Sequence, residues 1–254
     1  LNEAFWLGVG TPGSVAPAPD TVYSPGPEWN KKWGVLDLKQ ANELLDKVGL
    51  TKKDAEGYRL RQDGKGRLRL EMVTVGGQFV PFTPVGEMIK QQWRKIGVDV
   101  DIKELERNLA FTRDNNNENQ IITWANDGSE MLFLFPRHAI PVDAAESHMG
   151  MAYARWYASK GASGKKPDDP ELLRAFDLFR ASFGAKEEDR VSNAKEIWKI
   201  LVDNVYSIGT VGQSPAFMGV RIVKNNMGNI PERQTNAQHV RTPYSSQPIT
   251  FYFK

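Results

Sequence analysis

Residues 86–106, GEMIKQQWRKIGVDVDIKELE, join a helix pattern directly to a strand pattern. Apolar residues recur at helical spacing up to Ile96, and charged residues occupy the opposite face. Beyond Gly97, which fits the end of a helix, apolar and polar residues alternate as they do in a strand. The stretch therefore predicts a helix over 83–96 followed by a strand from Val98 to Ile102.

A second strand pattern precedes that helix. Residues 58–75, YRLRQDGKGRLRLEMVTV, form two alternating segments around Asp63-Gly64, which predicts a hairpin. The second of these segments, the helix and the following strand make a βαβ unit, so we expect the two strands to be parallel. This arrangement predicts the α/β class, with a mixed sheet flanked by helices.

Other segments have less regular patterns. Asp37 is placed to cap a short amphipathic helix, and two longer helices are expected over 172–183 and 191–205. The aromatic alternation of 247–254, QPITFYFK, predicts a strand that needs a pairing partner. Residues 111–120, FTRDNNNENQ, are interpreted as a polar connection. Residues 131–141, MLFLFPRHAIP, are expected to form a short helix and then a loop.

Composition excludes several kinds of function. The 254 residues include no cysteine, which rules out disulfides, thiolate metal sites and cysteine nucleophiles. The formal net charge of +2 does not indicate a nucleic-acid partner. The three histidines lack metal-ligand spacing, and Pro12 prevents the GVGTPG of residues 8–13 from opening a helix as a dinucleotide site would. We therefore predict no metal and no cofactor.

The chain does not begin with methionine, and its first residues lack the pattern of a signal peptide. We expect it to be a fragment or a processed piece of a longer protein. It also contains no run of apolar residues long enough for a membrane helix.

Residues 121–128, IITWANDG, form a strand pattern that ends in an aromatic residue and an acid. Because ligands of open α/β sheets bind at the carboxyl ends of strands, Trp124 and Asp127 are candidate ligand-binding residues. The alternative is a strand that simply finishes there. Trp156, in the aromatic segment YARWYASK, either lines a cleft or buries a loop. A glycan-active enzyme using Asp127 and Glu130 also stays open, since paired carboxylates are recognised only in space.

Four segments, in this order, resemble the family 5 extracellular solute-binding proteins of ABC importers, the oligopeptide-, dipeptide- and nickel-binding group. They are LDLKQANELLDKVGL (36–50), GKGRLRLEMVTVGG (64–77), the opening stretch, and YSIGTVGQSPAFMGVRIVKNNMGNIP (206–231). The resemblance implies the C-terminal lobe of a two-lobed periplasmic-binding-protein-like fold of type II. Residues 1–235 would form the ligand-binding lobe, and residues 236–254 would return towards the hinge and the N-terminal lobe.

The same resemblance implies a function and its partners. Such a protein is not an enzyme; it lies outside the cytoplasm, in the periplasm or lipid-anchored, and captures a solute between its lobes. Its partners are the other lobe, an oligopeptide or similar extended solute, and the permease subunits of the importer. A sensor or interaction domain derived from the same fold is the remaining alternative.

Peptide-binding members resemble W-x-x-D-Y at the position of IITWANDG, with the acid paired to the free amino group of the peptide. Trp124 and Asp127 match that pattern, and Arg113 matches an upstream T-R. With Asn126 of the turn and Trp156, they complete the predicted ligand-binding set. The residues after Asp127 depart from the pattern, so an oligosaccharide stacked on tryptophan is the alternative ligand.

Overall fold

The computed structural model describes residues 1–126, 129–212, 223–232 and 247–254. In chain order its helices and strands are α1 (Asn2–Trp6), β1 (Thr11–Pro12), α2 (Pro27–Lys31), α3 (Leu38–Lys47), β2 (Arg69–Val75), α4 (Phe82–Arg94), β3 (Asp99–Leu105), α5 (Arg107–Asn115), β4 (Ile121–Thr123), α6 (Met151–Ala158), α7 (Pro170–Ala181), α8 (Glu187–Asp203), β5 (Val211–Gly212), β6 (Met227–Gly228) and β7 (Tyr252–Phe253). Short 3-10 turns lie at Ser129–Met131, Pro136–His138 and Pro248–Thr250.

The central feature is a three-stranded sheet in the order β3-β2-β4. β2 pairs in parallel with β3 from Arg69↔Asp99 to Val75↔Leu105, and in parallel with β4 along Ile121–Thr123. The predicted α/β class and the parallel βαβ unit are therefore confirmed. β1 with β5 and β6 with β7 form separate antiparallel pairs, and the latter pair supplies the partner expected for the C-terminal strand.

Helices cover both faces of the parallel sheet. On one face, α4 packs so closely that a Cβ added to Gly86 would lie 3.0 Å from Thr74 Cγ2. On the other face, the fully buried Ala110 of α5 packs with Val73 and Val75. A parallel sheet needs this double cover because both of its faces are apolar.

A second core lies between α7 and α8, whose existence was predicted. Trp198 of α8 is completely buried there. Trp33 donates its indole N–H to the carbonyl of Val202 at 2.9 Å, in the last turn of α8. A free carbonyl at the helix end is satisfied in this way.

One sequence expectation is confirmed in reduced form and another is wrong. The hairpin predicted over 58–75 is present but short: Leu60 and Arg67 form an antiparallel bridge, and backbone N–H groups of Leu68 and Arg61 donate to the carbonyls of Arg59 and Gly66 on either side of it. The polar connection expected over 111–120 is wrong in its first half, because residues 111–115 form the end of helix α5, which has a polar exterior. The Glu106 carboxylate caps this helix by accepting backbone N–H groups of its first turn, and burial of Ala110 anchors it.

The segment 131–141 also differs from expectation, since it contains the 3-10 turn Pro136–His138 and no α-helix among its residues. The proline at 136 starts that turn but has no N–H to continue a preceding helix. In contrast, YARWYASK begins inside α6, whose apolar pattern is too short to stand out in the sequence.

Arg59 connects α3 to the end of α4. Its side chain is only 1% exposed and donates to the Ile96 carbonyl at 2.8 Å, to Asp46 Oδ1 at 2.5 Å and to Asn42 Oδ1 at 2.7 Å. Gly97 makes the close approach possible, because it has φ of 83° and an added Cβ would lie 2.9 Å from the Gly57 carbonyl oxygen. The buried guanidinium is thus bound by acceptors from α3 and from the turn after α4.

We expect Arg59→Ala to destabilise the protein by about 3 kcal/mol, because it leaves buried carbonyls without a donor. Urea denaturation measures the change. The matched control is Arg61→Ala, two residues away, because Arg61 is partly exposed and pairs only with Asp63. Equal effects of the two substitutions would contradict the bracing role of Arg59.

Candidate functional site

A cavity of about 140 Å³ lies at the carboxyl edge of the parallel sheet. Helix α5 starts directly beyond the end of β3, and Trp124 directly follows β4, so both reach this edge. The third wall is the segment 137–148, which approaches from outside the sheet. Parallel strands place the loops that follow them at one edge, which is where ligands of such sheets bind.

Trp124 forms the aromatic wall of the cavity and is half-buried. Its ring lies 5.4 Å from that of Phe82, with 32° between the planes, and meets the edges of Phe111 at 5.1 Å and Phe79 at 5.6 Å. These contacts hold the indole in one orientation, so the ring presents a rigid surface.

Helix α5 supplies one polar side of the cavity. Arg107, Phe111, Asp114 and Asn115 all line it, because their spacing places them on one helical face. The Arg107 guanidinium carbon lies 5.3 Å from the centre of the Phe111 ring and 5.5 Å from that of Trp124. Both distances are typical of a cation held over an aromatic ring.

Two histidines close the opposite side. His148 Nδ1 lies 3.0 Å from Asp114 Oδ2, and the His148 ring stacks on that of His138 with 5.0 Å between centroids. The chain that carries them is held in a loop, because the backbone N–H of His148 donates to the Arg137 carbonyl and the side chain of Arg137 pairs with Glu146. The cavity therefore combines an aromatic wall with acidic side chains, basic side chains and one amide.

The structure places the predicted ligand-binding residues in different surroundings. Trp124 lines the cavity, whereas the exposed Asn126 donates from Nδ2 to the Val15 carbonyl at 3.1 Å. Trp156 stacks at 6.4 Å on Phe176, against the core of α7 and α8. Asp127 lies outside the described residues. Ligand contacts of all these residues stay predictions.

Arg113 points to a different part of the sheet. Its guanidinium donates to Glu71 at 2.6 Å, and it does not line the cavity. Hydrogen bonds from Lys103 and Arg113 to the Glu71 carboxylate hold the pKa of Glu71 below its ordinary value of 4.5. In this structure Arg113 braces α5 against β2, and its predicted ligand contact stays a prediction.

Sequence reasoning missed most of the cavity. The spacing of Arg107, Phe111 and Asp114 places the three side chains on one helical face, but this inference requires knowing that residues 107–115 form a helix. No local pattern connects His138 and His148 to α5, since they are brought there by tertiary packing. Within the described ranges, no group of three or more His, Asp or Glu side chains is placed to hold a metal ion.

Comparison with known proteins identifies the family. The sequence profile described as "Bacterial extracellular solute-binding proteins, family 5 Middle" matches residues 1–134. The chain belongs to this family, as its sequence segments indicated. A comparison with curated protein sequences gave no significant match. No helix in the described part of the chain is long and apolar enough to cross a membrane.

Solved structures agree with the family. The oligopeptide-binding protein OppA matches with 27% identity and a TM-score of 0.77, covering 100% of this chain and 41% of its own. NikA from Brucella suis, solved with Fe(III)-EDTA, has 19% identity and a TM-score of 0.60, covering 83% of this chain and 38% of its own.

A third match is the periplasmic binding protein MelB from Agrobacterium fabrum C58, solved with stachyose. It has 18% identity and a TM-score of 0.59, covering 69% of this chain and 26% of its own. This chain therefore spans less than half the length of these relatives, which fits one lobe of a larger binding protein. These relatives are solute-binding proteins.

The depressed pKa of Glu71 predicts a pH dependence. A carboxylate with a lowered folded pKa contributes stability above its unfolded pKa and loses it as pH falls through the folded value. The stability difference between wild type and Glu71→Gln should therefore be constant from neutral pH to about pH 5 and shrink as pH falls below 4.5.

Urea titrations at several pH values measure this difference. Glu118→Gln is the matched control, because Glu118 lies 3.9 Å from the same Arg113 guanidinium but is more exposed. A Glu71→Gln difference that persists unchanged in acid would contradict the role assigned to the Glu71 carboxylate.

Proposed function

We propose that this chain is the ligand-binding lobe of an extracytoplasmic solute-binding protein that serves an ABC importer. The protein captures an oligopeptide or a similar extended solute between two lobes and delivers it to the membrane permease. The observation that carries the proposal is the cavity at the carboxyl edge of the parallel sheet, walled by Trp124, in a chain of this family.

The geometry suits capture without chemistry. The aromatic wall is held by three phenylalanines, so little rotamer entropy is lost when a solute packs against it. Closure of a second lobe by hinge motion would exclude water from the cavity. Charge-assisted hydrogen bonds inside a closed site are stronger than neutral ones, and Asp127 is the predicted partner of a peptide ammonium group.

An oligosaccharide is the second candidate ligand. Around Trp124 the cavity presents the side chains of Asp114, Asn115 and His148, which can bond sugar hydroxyl groups as donors or acceptors. The complex of MelB with stachyose shows that a protein with a similar fold takes a sugar of this kind. The glycan-active enzyme is not favoured, since the relatives are solute-binding proteins.

The location and the partners follow from the family and are part of this proposal. The protein would act outside the cytoplasm, either free in the periplasm or held at the outer face of the membrane by a lipid. Residues 236–254 would return towards the hinge, while the second lobe and the permease complete the functional assembly.

The solute can be identified directly. We expect full-length protein to retain peptides or oligosaccharides during purification, and mass spectrometry after denaturation identifies them. Trp124→Ala should retain at least about tenfold less, because the aromatic wall is lost. Trp33→Ala is the matched control, since Trp33 is a half-exposed tryptophan at the end of α8, away from the cavity. Equal retention by wild type and Trp124→Ala would refute the site.

The two-lobe arrangement makes a separate prediction. The isolated chain should bind the identified solute much more weakly than the full-length protein, because half of the enclosing wall is missing. Isothermal titration of both proteins with the same solute measures the difference. Equal affinities would refute capture between lobes.

A further inference from the structure

Arg107 covers part of the aromatic wall of the cavity. Its guanidinium lies over the rings of both Trp124 and Phe111, at 5.5 and 5.3 Å, and the residue is otherwise exposed to solvent. Phe82 packs against the same indole at 5.4 Å. The protein's own groups therefore already pack against the Trp124 ring, and a flat neutral ligand must compete with Arg107 to stack there.

The other ionisable side chains of the cavity have partners of their own. Asp114 lies 3.0 Å from the His148 imidazole, and Arg137 pairs with Glu146. Arg107, by contrast, makes no ion pair with any residue in the described part of the chain. Arg107 is thus a cation that lacks a carboxylate partner and lies beside the aromatic wall of the cavity. It is placed to receive an anion.

The backbone N–H groups at the start of α5 are not available to bind such an anion. The Glu106 carboxylate already accepts the backbone N–H groups of Asn108 and Leu109 at 2.8 and 3.3 Å. At this end of α5, the Arg107 guanidinium is therefore the group placed to donate to a ligand anion. Arginine suits this role because its planar fork can give a carboxylate two parallel hydrogen bonds.

We propose that Arg107 makes the cavity selective for solutes that carry a carboxylate group, and that it disfavours neutral ones. This inference rests on the proposed function, whose site it specifies. A carboxylate pairs with the guanidinium and draws it from the ring, which opens the Trp124 face to the rest of the solute. A neutral solute offers nothing in exchange for the contact between Arg107 and the ring that it displaces.

The proposal predicts opposite changes for two classes of ligand. Replacing Arg107 by alanine should weaken binding of a carboxylated solute by about tenfold, since a charge-assisted pair is lost. The same change should strengthen binding of a neutral, flat-faced solute by about twofold to fivefold, since the ring no longer has to be vacated. A purely structural role would change both affinities in the same direction.

The test uses isothermal titration of full-length protein with two matched pairs of probes. The peptide pair is trialanine and its C-terminal amide, and the sugar pair is trigalacturonate and the neutral maltotriose. Proteins titrated are wild type, Arg107→Ala and Arg107→Gln, which keeps much of the side chain without its charge. Arg94→Ala is the matched control, because Arg94 also rests on an aromatic ring, 3.9 Å from Tyr58, outside the cavity.

We expect wild type to prefer the carboxylated member of at least one pair, and both Arg107 variants to lose that preference while Arg94→Ala keeps it. The pair that responds tells whether the carboxylate belongs to a peptide or to an acidic sugar. Unchanged preference in both Arg107 variants would overturn this inference but leave the proposed function standing. Wild type that binds no probe would overturn this inference, whereas retained solute would still support the function.

Discussion

The parallel pairing of β2 with both of its neighbours is the constraint on which the cavity depends. Because β3 and β4 run in the same direction, the residues that follow them emerge at one edge of the sheet. One of these exits starts α5 and the other delivers Trp124, so a polar helix face and an aromatic ring meet there. An antiparallel β4 would place Trp124 at the opposite edge, and the cavity would lose its wall.

Side-chain contacts hold the flanking helices in fixed positions beside the sheet. Arg59 satisfies acceptors from α3 and from the turn after α4, which fixes the helix that connects β2 to β3. On the opposite face, Arg113 and Glu71 connect α5 to β2. Side chains of α5 can therefore hold a constant position at the cavity, as a binding site built on rigid elements requires.

Trp124 consequently has a different role from an open stacking platform. Three phenylalanine rings pack against it, and the Arg107 guanidinium lies 5.5 Å from its centre. The ring therefore helps to set the position of a cation in the cavity. Proteins of similar fold have been solved with ligands as different as stachyose and Fe(III)-EDTA, and a shared fold does not by itself specify a ligand.

The sequence by itself determined the βαβ unit, helices α7 and α8, the family and the position of Trp124 at a strand end. Each depends on periodicity or on order along the chain, which neighbouring residues record directly. Only the tertiary structure decided that residues 107–115 form a helix, because burial of Ala110 against the sheet compensates for a polar sequence. It also placed Trp156 against a core and brought His148 to Asp114, 34 positions away. Contacts between distant segments result from the packing of whole elements, and no local pattern specifies which side chains will meet.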